Sequence, residues 1–366
     1  MKRILVLSHV VFPVNNARVN RTIELVKELS NRGYVIELAA CLGSYDYNNF
    51  SKENNVKISN LGDNFFHIYN SDDNIQKQNF FVKYLRLCVR PFFDLRDLEL
   101  SYFSYKFLKK NRKYDVVISI APPHALNWGI SLFKTFNPNT VFKWIADCGD
   151  PYYKNPFHKY PLPFYFKFIE KWFCRRVDKI VIPVEIGKEG YFEEFHSKIS
   201  VIPQGVDFKQ FKLTPFVENS VITFVYAGAI YPGKRDPFLF LEFLCSLEYD
   251  FVFKIYCNNL SLLTKYKEKL GSKLELYEYV DRVELVNVLS KADFLVNILN
   301  EGTVQSPSKL IDYGLSQRPI LNIDSKVLDK EKIEEFFKRD YRNSFVVPNL
   351  QDYSIDNVVD KFIECF

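Results

Sequence analysis

Residues 291–323, KADFLVNILNEGTVQSPSKLIDYGLSQRPILNI, restrict the fold of this chain more than any other stretch. Phe294 to Leu299 reads as a short apolar strand, Asn300 to Ser306 as a polar loop, Pro307 and Ser308 as the opening of a helix, and Pro319 to Ile323 as a second strand, giving one β-loop-α-β unit. Proline at a first helical position has no N–H, so the free amides of Ser308, Lys309 and Leu310 are expected to point out of the helix end, where the dipole favours an anion. Lys309 adds a full positive charge there. Asp312, at i+3 from Lys309 and i+4 from Ser308, shares their face and can reach past an anion towards a hydroxyl. Amides and a cation for phosphates, beside a carboxylate for two sugar hydroxyls, is the set a nucleotide sugar requires. The plainer alternative is a capped helix with a surface lysine and aspartate.

With 366 residues, 47% of them hydrophobic, the chain can build two domains of ordinary size, each with its own core. No apolar run approaches the roughly 18 residues that a membrane span needs, and MKRILVLSHVVFPVNN runs straight into a strand, so a cytoplasmic location is expected. Seven scattered cysteines without a CxxC pair argue against a disulfide framework and a zinc site, leaving them as reduced core residues.

Charge divides unevenly. Residues 1–213 hold 31 Lys+Arg against 21 Asp+Glu, a net of +10, whereas residues 214–366 hold 18 against 23, a net of −5. The first half is therefore expected to meet something anionic. Its densest part, residues 83–113, interleaves nine cations and three carboxylates with seven aromatic residues. Two roles are open to it: a peripheral contact with an anionic membrane surface, or a pair of ordinary helices with aromatic core faces and solvated charges. No nucleic-acid-binding motif accompanies the charge, so nucleic acid is not expected as a partner.

In chain order, strand Lys2 to Ser8, the loop VVFPVNNAR, a helix to about Ser30 and strand Tyr34 to Ala40 form a βαβ opening whose first turn lacks the glycines of a dinucleotide fingerprint. Asn15, Asn16 and Arg18 occupy that turn, beyond the carboxyl end of a strand, where an open α/β sheet offers its ligand crevice. Residues 43–80 read as irregular connections with a short strand near Phe65 to Tyr69. The strand Asp115 to Ala121 stops at Pro122-Pro123, which present His124 at the start of a helix, Ala125 to Thr135. Strand Val141 to Ala146 is followed by Asp147-Cys-Gly-Asp150-Pro, where two carboxylates can hold a base or orient a hydroxyl, or serve turn chemistry. The pattern of Leu162 to Val177 predicts a helix with a buried or bilayer-facing stripe at 164, 165, 168, 169, 172 and 173.

Residues 208–220 look like an interdomain connection, after which a second α/β series begins at Val221. The domains expected are 1–213, 214–350, and a C-terminal helix in 351–366 packing back towards the N-terminal domain. The loop after the first strand of the second series, Gly228-Ala-Ile-Tyr-Pro-Gly-Lys234-Arg235-Asp-Pro, offers small residues for close backbone approach and two adjacent cations for a diphosphate. Such a pair is ordinarily surface charge, but its place at a strand end makes it a partner for Lys309.

Taken together, two Rossmann-like halves, the segment from Ile199 to Phe211, the FVYAGAIYPGKRDP loop and KADFLVNILN…PSKLIDYGLSQRPIL resemble a GT-B fold glycosyltransferase of the family 4 (group 1) type. The resemblance covers nearly the whole chain. It implies two Rossmann-like domains facing a central cleft, with a sugar moved from a nucleotide-diphosphate-sugar donor on the second domain to an acceptor on the first. The transfer would be retaining and without a metal or other cofactor, the nucleotide sugar being co-substrate. Lys234 and Lys309 would neutralise the donor diphosphate, Ser308 would support it through its amide, Asp312 would stand at the ribose, Tyr279 and Val280 would lie where the base is read, and His124 would touch the donor sugar. Asn15, Asn16, Arg18, His124, Asp147 and Asp150 are the acceptor-side candidates, and the cationic first half points to a glycan acceptor that is lipid-linked or of the polysaccharide or lipopolysaccharide type. The chain departs from the pattern in having Gly228-Ala229 where the family has Gly-Arg, with Arg235 as the replacement cation. Val304 stands where the first carboxylate of the family's pair belongs, so Glu301 is the nearest donor-side carboxylate, and Asn15-Asn16 replace a glycine pair. A nucleotide-sugar epimerase, a phosphorylase and a non-catalytic nucleotide-sugar-binding protein are the alternatives on the same frame.

Overall fold

The computed structural model describes residues 1–14, 16–63, 95–111, 113–155, 162–299 and 309–366. They form two compact α/β units, Met1–Asp207 with Asp352–Phe366, and Phe208–Gln351. The linker expected at 208–220 thus belongs to the second unit.

The first unit is built on a parallel sheet of seven strands in the order β3-β2-β1-β4-β5-β6-β7, where β1 is Arg3–Leu7, β2 Val35–Ala40, β3 Val56–Asn60, β4 Val116–Ala121, β5 Lys143–Cys148, β6 Lys179–Ile182 and β7 Ile199–Val201. Helices cover both faces, so the central strands are apolar along their length, as β4 VVISIA shows. One face packs Val117, Trp144, Ala146 and Ile180 beneath the helices Leu95–Lys110, Ala125–Phe136 and Phe166–Arg176. The other packs Ile4, Val6, Ile118 and Ile145 beneath Ala17–Asn31 and the C-terminal helix Ile355–Ile363. Arg32, capping the end of Ala17–Asn31, fastens that terminal helix through the carbonyl of Asp356 (2.8 Å) and the carboxylate of Asp360.

The second unit holds a five-stranded parallel sheet in the order β10-β9-β8-β11-β12, with β8 Ile222–Ala227, β9 Phe251–Tyr256, β10 Leu274–Tyr277, β11 Phe294–Ile298 and β12 Ile320–Ile323. In both sheets the chain first winds outward on one side and then returns to the other. The switch falls between β1 and β4 in the first unit and between β8 and β11 in the second. Loops leaving the carboxyl ends of those strands border the crevice where such sheets bind ligands.

At the second switch point the ladder between β8 and β11 is short, pairing Phe224 with Phe294 and Val225 with Leu295. Beyond it the fully buried Tyr313 hydroxyl is inserted, accepting the N–H of Ala227 (2.9 Å) and donating to the carbonyl of Val296 (3.0 Å). Tyr313 lies one turn into the helix Lys309–Ser316, so this bond sets the height of that helix above the sheet.

Several expectations are corrected. Residues 43–80 are not irregular throughout: Asn48–Asn54 is a helix, ended by Asn55 in the left-handed region (φ 50), and β3 follows it. As an edge strand β3 buries Val56 alone, so no apolar run announces it; Lys57 and Ser59 instead hold Glu37 of β2 at 3.0 and 2.6 Å. The strand near Phe65 to Tyr69 and residues 83–94 and 112 of the basic segment lie outside the described residues. Asp147 is inside β5 rather than after it. The helix of the 162–177 region turns Phe166, Glu170, Phe173 and Cys174 inward and leaves Phe164 and Phe168 exposed. Among the described cysteines, all free, Cys245 is exposed rather than in the core.

Replacing Tyr313 by Phe leaves a buried N–H and a buried carbonyl without their partner. The substitution is expected to lower the stability of the second unit by about 1–3 kcal/mol, read from the denaturant midpoint with an unchanged slope.

Candidate functional site

The candidate donor site grows from the carboxyl ends of β8 and β11. Gly228 follows β8 directly with φ +154, a backbone that L side chains rarely adopt, and its N–H is fixed on the carbonyl of Tyr256 at 3.0 Å. A Cβ there would stand 3.1 Å from the Tyr226 hydroxyl and 3.6 Å from Cδ of Lys309. The start of the glycine loop and the start of the helix Lys309–Ser316 are therefore in contact, as two loops serving one ligand must be.

The Lys309 ammonium is buried and has no hydrogen-bond partner among the described residues. It lies 4.9 Å from the centroid of the Tyr226 ring and 6.0 Å from that of Tyr313. Burial, and then the positive charge of Arg235, push its pKa down to about 7. An ammonium in such surroundings is destabilised unless an anion joins it.

Arg235, rather than Lys234, is the cation of the loop whose field reaches Lys309. The backbone bridge between Tyr231 and Arg235 closes the turn, Asp236 accepts the N–H of Gly233 at 2.6 Å, and the Arg235 guanidinium donates through Nε to the carbonyl of Ala229 (3.2 Å) while lying 5.0 Å from the Tyr231 ring. Lys234 is exposed at the tip. Tyr279, exposed over about half its surface (54%), has its hydroxyl pKa raised by burial and by neighbouring Cys257 and Tyr231, with Arg235 opposing. Val280, partly buried, packs against the core cluster that includes Val225, Ala227 and Leu289, and Leu310 is a buried residue of that cluster.

Asp312 is engaged. Its Oδ1 accepts from Arg282, at 2.7 Å from Nε and 2.5 Å from Nη2. Burial raises its pKa and Arg282 opposes the rise. Arg282, Tyr226 and Tyr313 are not singled out by the sequence, since an arginine and two tyrosines in ordinary elements carry no motif. The spacing of Tyr313 at i+4 from Lys309 is the available signal.

In the first unit the β1/β4 switch point gathers Arg18, Asp150 and His124, with corrections to the acceptor-side assignments. Asn16 caps its helix, accepting the N–H of Arg18 (3.0 Å) and of Val19 (2.9 Å), so its side chain is committed to the fold. Asp147 has no solvent-accessible surface and is held by Arg21, whose Nε lies 2.5 Å away and whose Nη atoms reach the carbonyls of Ile202 (3.0 Å) and Pro203. Arg21 thus holds Oδ2, while Oδ1 is buried without a hydrogen-bond partner among the described residues. Arg18 lies 3.8 Å from Asp147, and its guanidinium fills the space above Gly149, where a Cβ would collide with Nη2. His124 is only 4% exposed. Its Nε2 is 2.8 Å from the carbonyl of Asp150, so that nitrogen carries the proton, and its ring lies 5.4 Å from Tyr152. Asn15, Glu301 and Ser308 lie outside the described residues.

No family model and no curated protein sequence matches the chain. Solved structures match along its whole length. Anabaena HepE, crystallised with UDP and glucose, is 9% identical with a TM-score of 0.62, over 100% of this chain and 99% of its own. The lipopolysaccharide outer core galactosyltransferase WaaB, in its apo form, is 13% identical with a TM-score of 0.58, over 99% and 98%. A point mutant of S. aureus TarM, in complex with Fondaparinux, alpha-GlcNAc-glycerol and UDP, is 13% identical with a TM-score of 0.55, over 100% and 99%. Identities this low define the fold: this chain has the GT-B architecture of two parallel-sheet α/β domains.

Because its pKa lies below that of an unfolded lysine, Lys309 in the folded chain resists protonation. Its cost to stability is full below about pH 7 and is relieved as pH rises towards the ordinary lysine value. Lys309→Met is therefore expected to raise the thermal midpoint at pH 6–7, with the advantage narrowing by pH 10, as read by calorimetry.

Proposed function

We propose that the chain is a glycosyltransferase that takes a sugar from a nucleotide-diphosphate-sugar donor bound by the second unit. The observation that carries this is the Lys309 ammonium, buried without a hydrogen-bond partner among the described residues, at the switch point, against Gly228 and within the field of Arg235. Cleavage of the anomeric C–O bond builds negative charge on the leaving diphosphate. A fixed cation already stripped of water stabilises that charge more than it stabilises the intact donor. Tyr279 would cover the base, Asp312 held by Arg282 would take the ribose, and Lys234 would add its charge from the loop tip.

The acceptor is assigned to the first unit, with Arg18 and Asp150 at its switch point, and its class to a lipid-linked or polysaccharide-type glycan, in keeping with the net +10 of residues 1–213. Retention of configuration and independence of a metal are what the family resemblance implies. No helix of the described residues is long and apolar enough to cross a membrane, so contact with a bilayer would be peripheral.

The test is a panel of nucleotide sugars followed by calorimetry and product analysis. Lys309→Ala is expected to lower turnover on the order of 10²-fold, and Arg235→Ala to weaken binding of the donor more than Lys234→Ala does. The diphosphate of a nucleotide sugar does not titrate near neutrality, so binding should take up a proton at Lys309. The donor Kd is then expected to rise towards about tenfold per pH unit above pH 7, and to lose that dependence in Lys309→Met. Unchanged turnover in Lys309→Ala would overturn the assignment, and epimerised donor formed without any acceptor would replace transfer by epimerisation.

A further inference from the structure

Outside the candidate site, the first unit carries a surface that neither the core nor the proposed chemistry explains. Phe164 and Phe168, one helical turn apart, are 75% and 62% exposed. Phe164, in the turn leading into the helix Phe166–Arg176, and Phe168, in its first turn, form an apolar ridge at the start of that helix, whose buried residues are Phe166, Glu170, Phe173 and Cys174. Beside the ridge, three lysines converge on one ring: the ammonium groups of Lys154, Lys167 and Lys171 lie 4.9, 5.8 and 4.6 Å from the centroid of Phe192. Glu194 pairs with Lys171 at 2.5 Å, and its carboxyl is held below the usual range by Lys171 first, with Arg175 and Lys167 contributing. Three cations, Lys167, Lys171 and Arg175, thus act on one carboxylate, with Lys154 beside the same ring. Mutual repulsion makes that grouping costly without a further anion, because each exposed cation–π contact returns only about 0.5–1 kcal/mol.

We propose that this surface docks the chain on an anionic bilayer, with Phe164 and Phe168 entering the acyl boundary and Lys154, Lys167, Lys171 and Arg175 meeting lipid phosphates. Exposed aromatics flanked by lysines are the two signals that a peripheral contact combines, burial of apolar area and attraction to the negative surface. Charge complementarity chooses the partner: a neutral apolar partner would leave the lysines unneutralised, and a soluble anion would leave the phenylalanines in water. The surface lies on a different helix from the basic segment 83–113. It deepens the lipid-linked acceptor assignment, on which its biological use rests, but docking is measurable with neither donor nor acceptor present.

The experiment is co-sedimentation of the full chain with vesicles of phosphatidylcholine alone and with about 30% phosphatidylglycerol, at low and high salt. Binding is expected on the anionic vesicles and to fall with salt. Phe164→Ser with Phe168→Ser, and separately Lys154→Gln, Lys167→Gln and Lys171→Gln, are expected to weaken it, the lysines by about fivefold each. Unchanged thermal midpoints would show that the variants fold. As a comparison, Lys106→Gln, Lys109→Gln and Lys110→Gln on the helix Leu95–Lys110 should bind like the parent chain. Absence of binding to anionic vesicles, equal binding to neutral ones, or loss only in the Leu95–Lys110 variants would overturn the proposal. Transfer to a soluble acceptor without vesicle binding would overturn docking while leaving the transferase assignment standing.

Discussion

The hydroxyl of Tyr313 occupies the point at which β8 and β11 part, and the geometry of the second unit depends on it. Two parallel strands that diverge at their carboxyl ends leave backbone groups that nothing in a sheet can satisfy, and a buried unpaired N–H or carbonyl costs more than a hydrogen bond returns. Tyr313 takes the N–H of Ala227 and gives its own proton to Val296. The sheet can then open between two central strands with these backbone groups satisfied, and the opening borders the candidate donor site. The same side chain belongs to the helix that begins at Lys309, so satisfying the parted backbone and placing the ammonium are one event.

Charge in the two units is handled in contrasting ways. In the first unit Asp147 is sealed from solvent with Arg21, which also takes two carbonyls of the chain beyond β7, and Arg18 is held above Gly149 beside them. There Arg21 holds one oxygen of the buried carboxylate, while among the described residues Oδ1 of Asp147 and Nη1 of Arg18 have no hydrogen-bond partner. In the second unit Lys309 sits over the faces of Tyr226 and Tyr313. A π-face compensates a cation only in part, and so the site is left electrostatically open. Arg282 and Asp312 lie between these extremes, a pair in which both contacts of the guanidinium fall on one carboxylate oxygen.

Much of the fold is legible in side-chain type alone. Apolar runs at Val116–Ala121, Phe251–Tyr256 and Phe294–Ile298 are strands because both faces of a parallel sheet are buried, which writes them plainly in composition. The edge strand Val56–Asn60 is not legible, since an edge position needs little apolar surface and is fixed by pairing with β2. Asn16 and Asp147 look like ligands because polar residues at strand ends are ambiguous. Their partners, the amides of the helix start and Arg21, are respectively local and over a hundred residues distant in the chain.

The amino-acid sequence determined where strands, helices and turns alternate, which half of the chain is basic, and that a lysine and an aspartate share one turn after a strand. Those properties are local or additive, and they follow from periodicity and side-chain type. The tertiary structure alone decided that Arg235 rather than Lys234 acts on Lys309, that Arg282 grips Asp312, and that Phe164 and Phe168 face outward beside three lysines. Each is a matter of which of two neighbouring side chains points where, settled by packing against residues far away in the sequence.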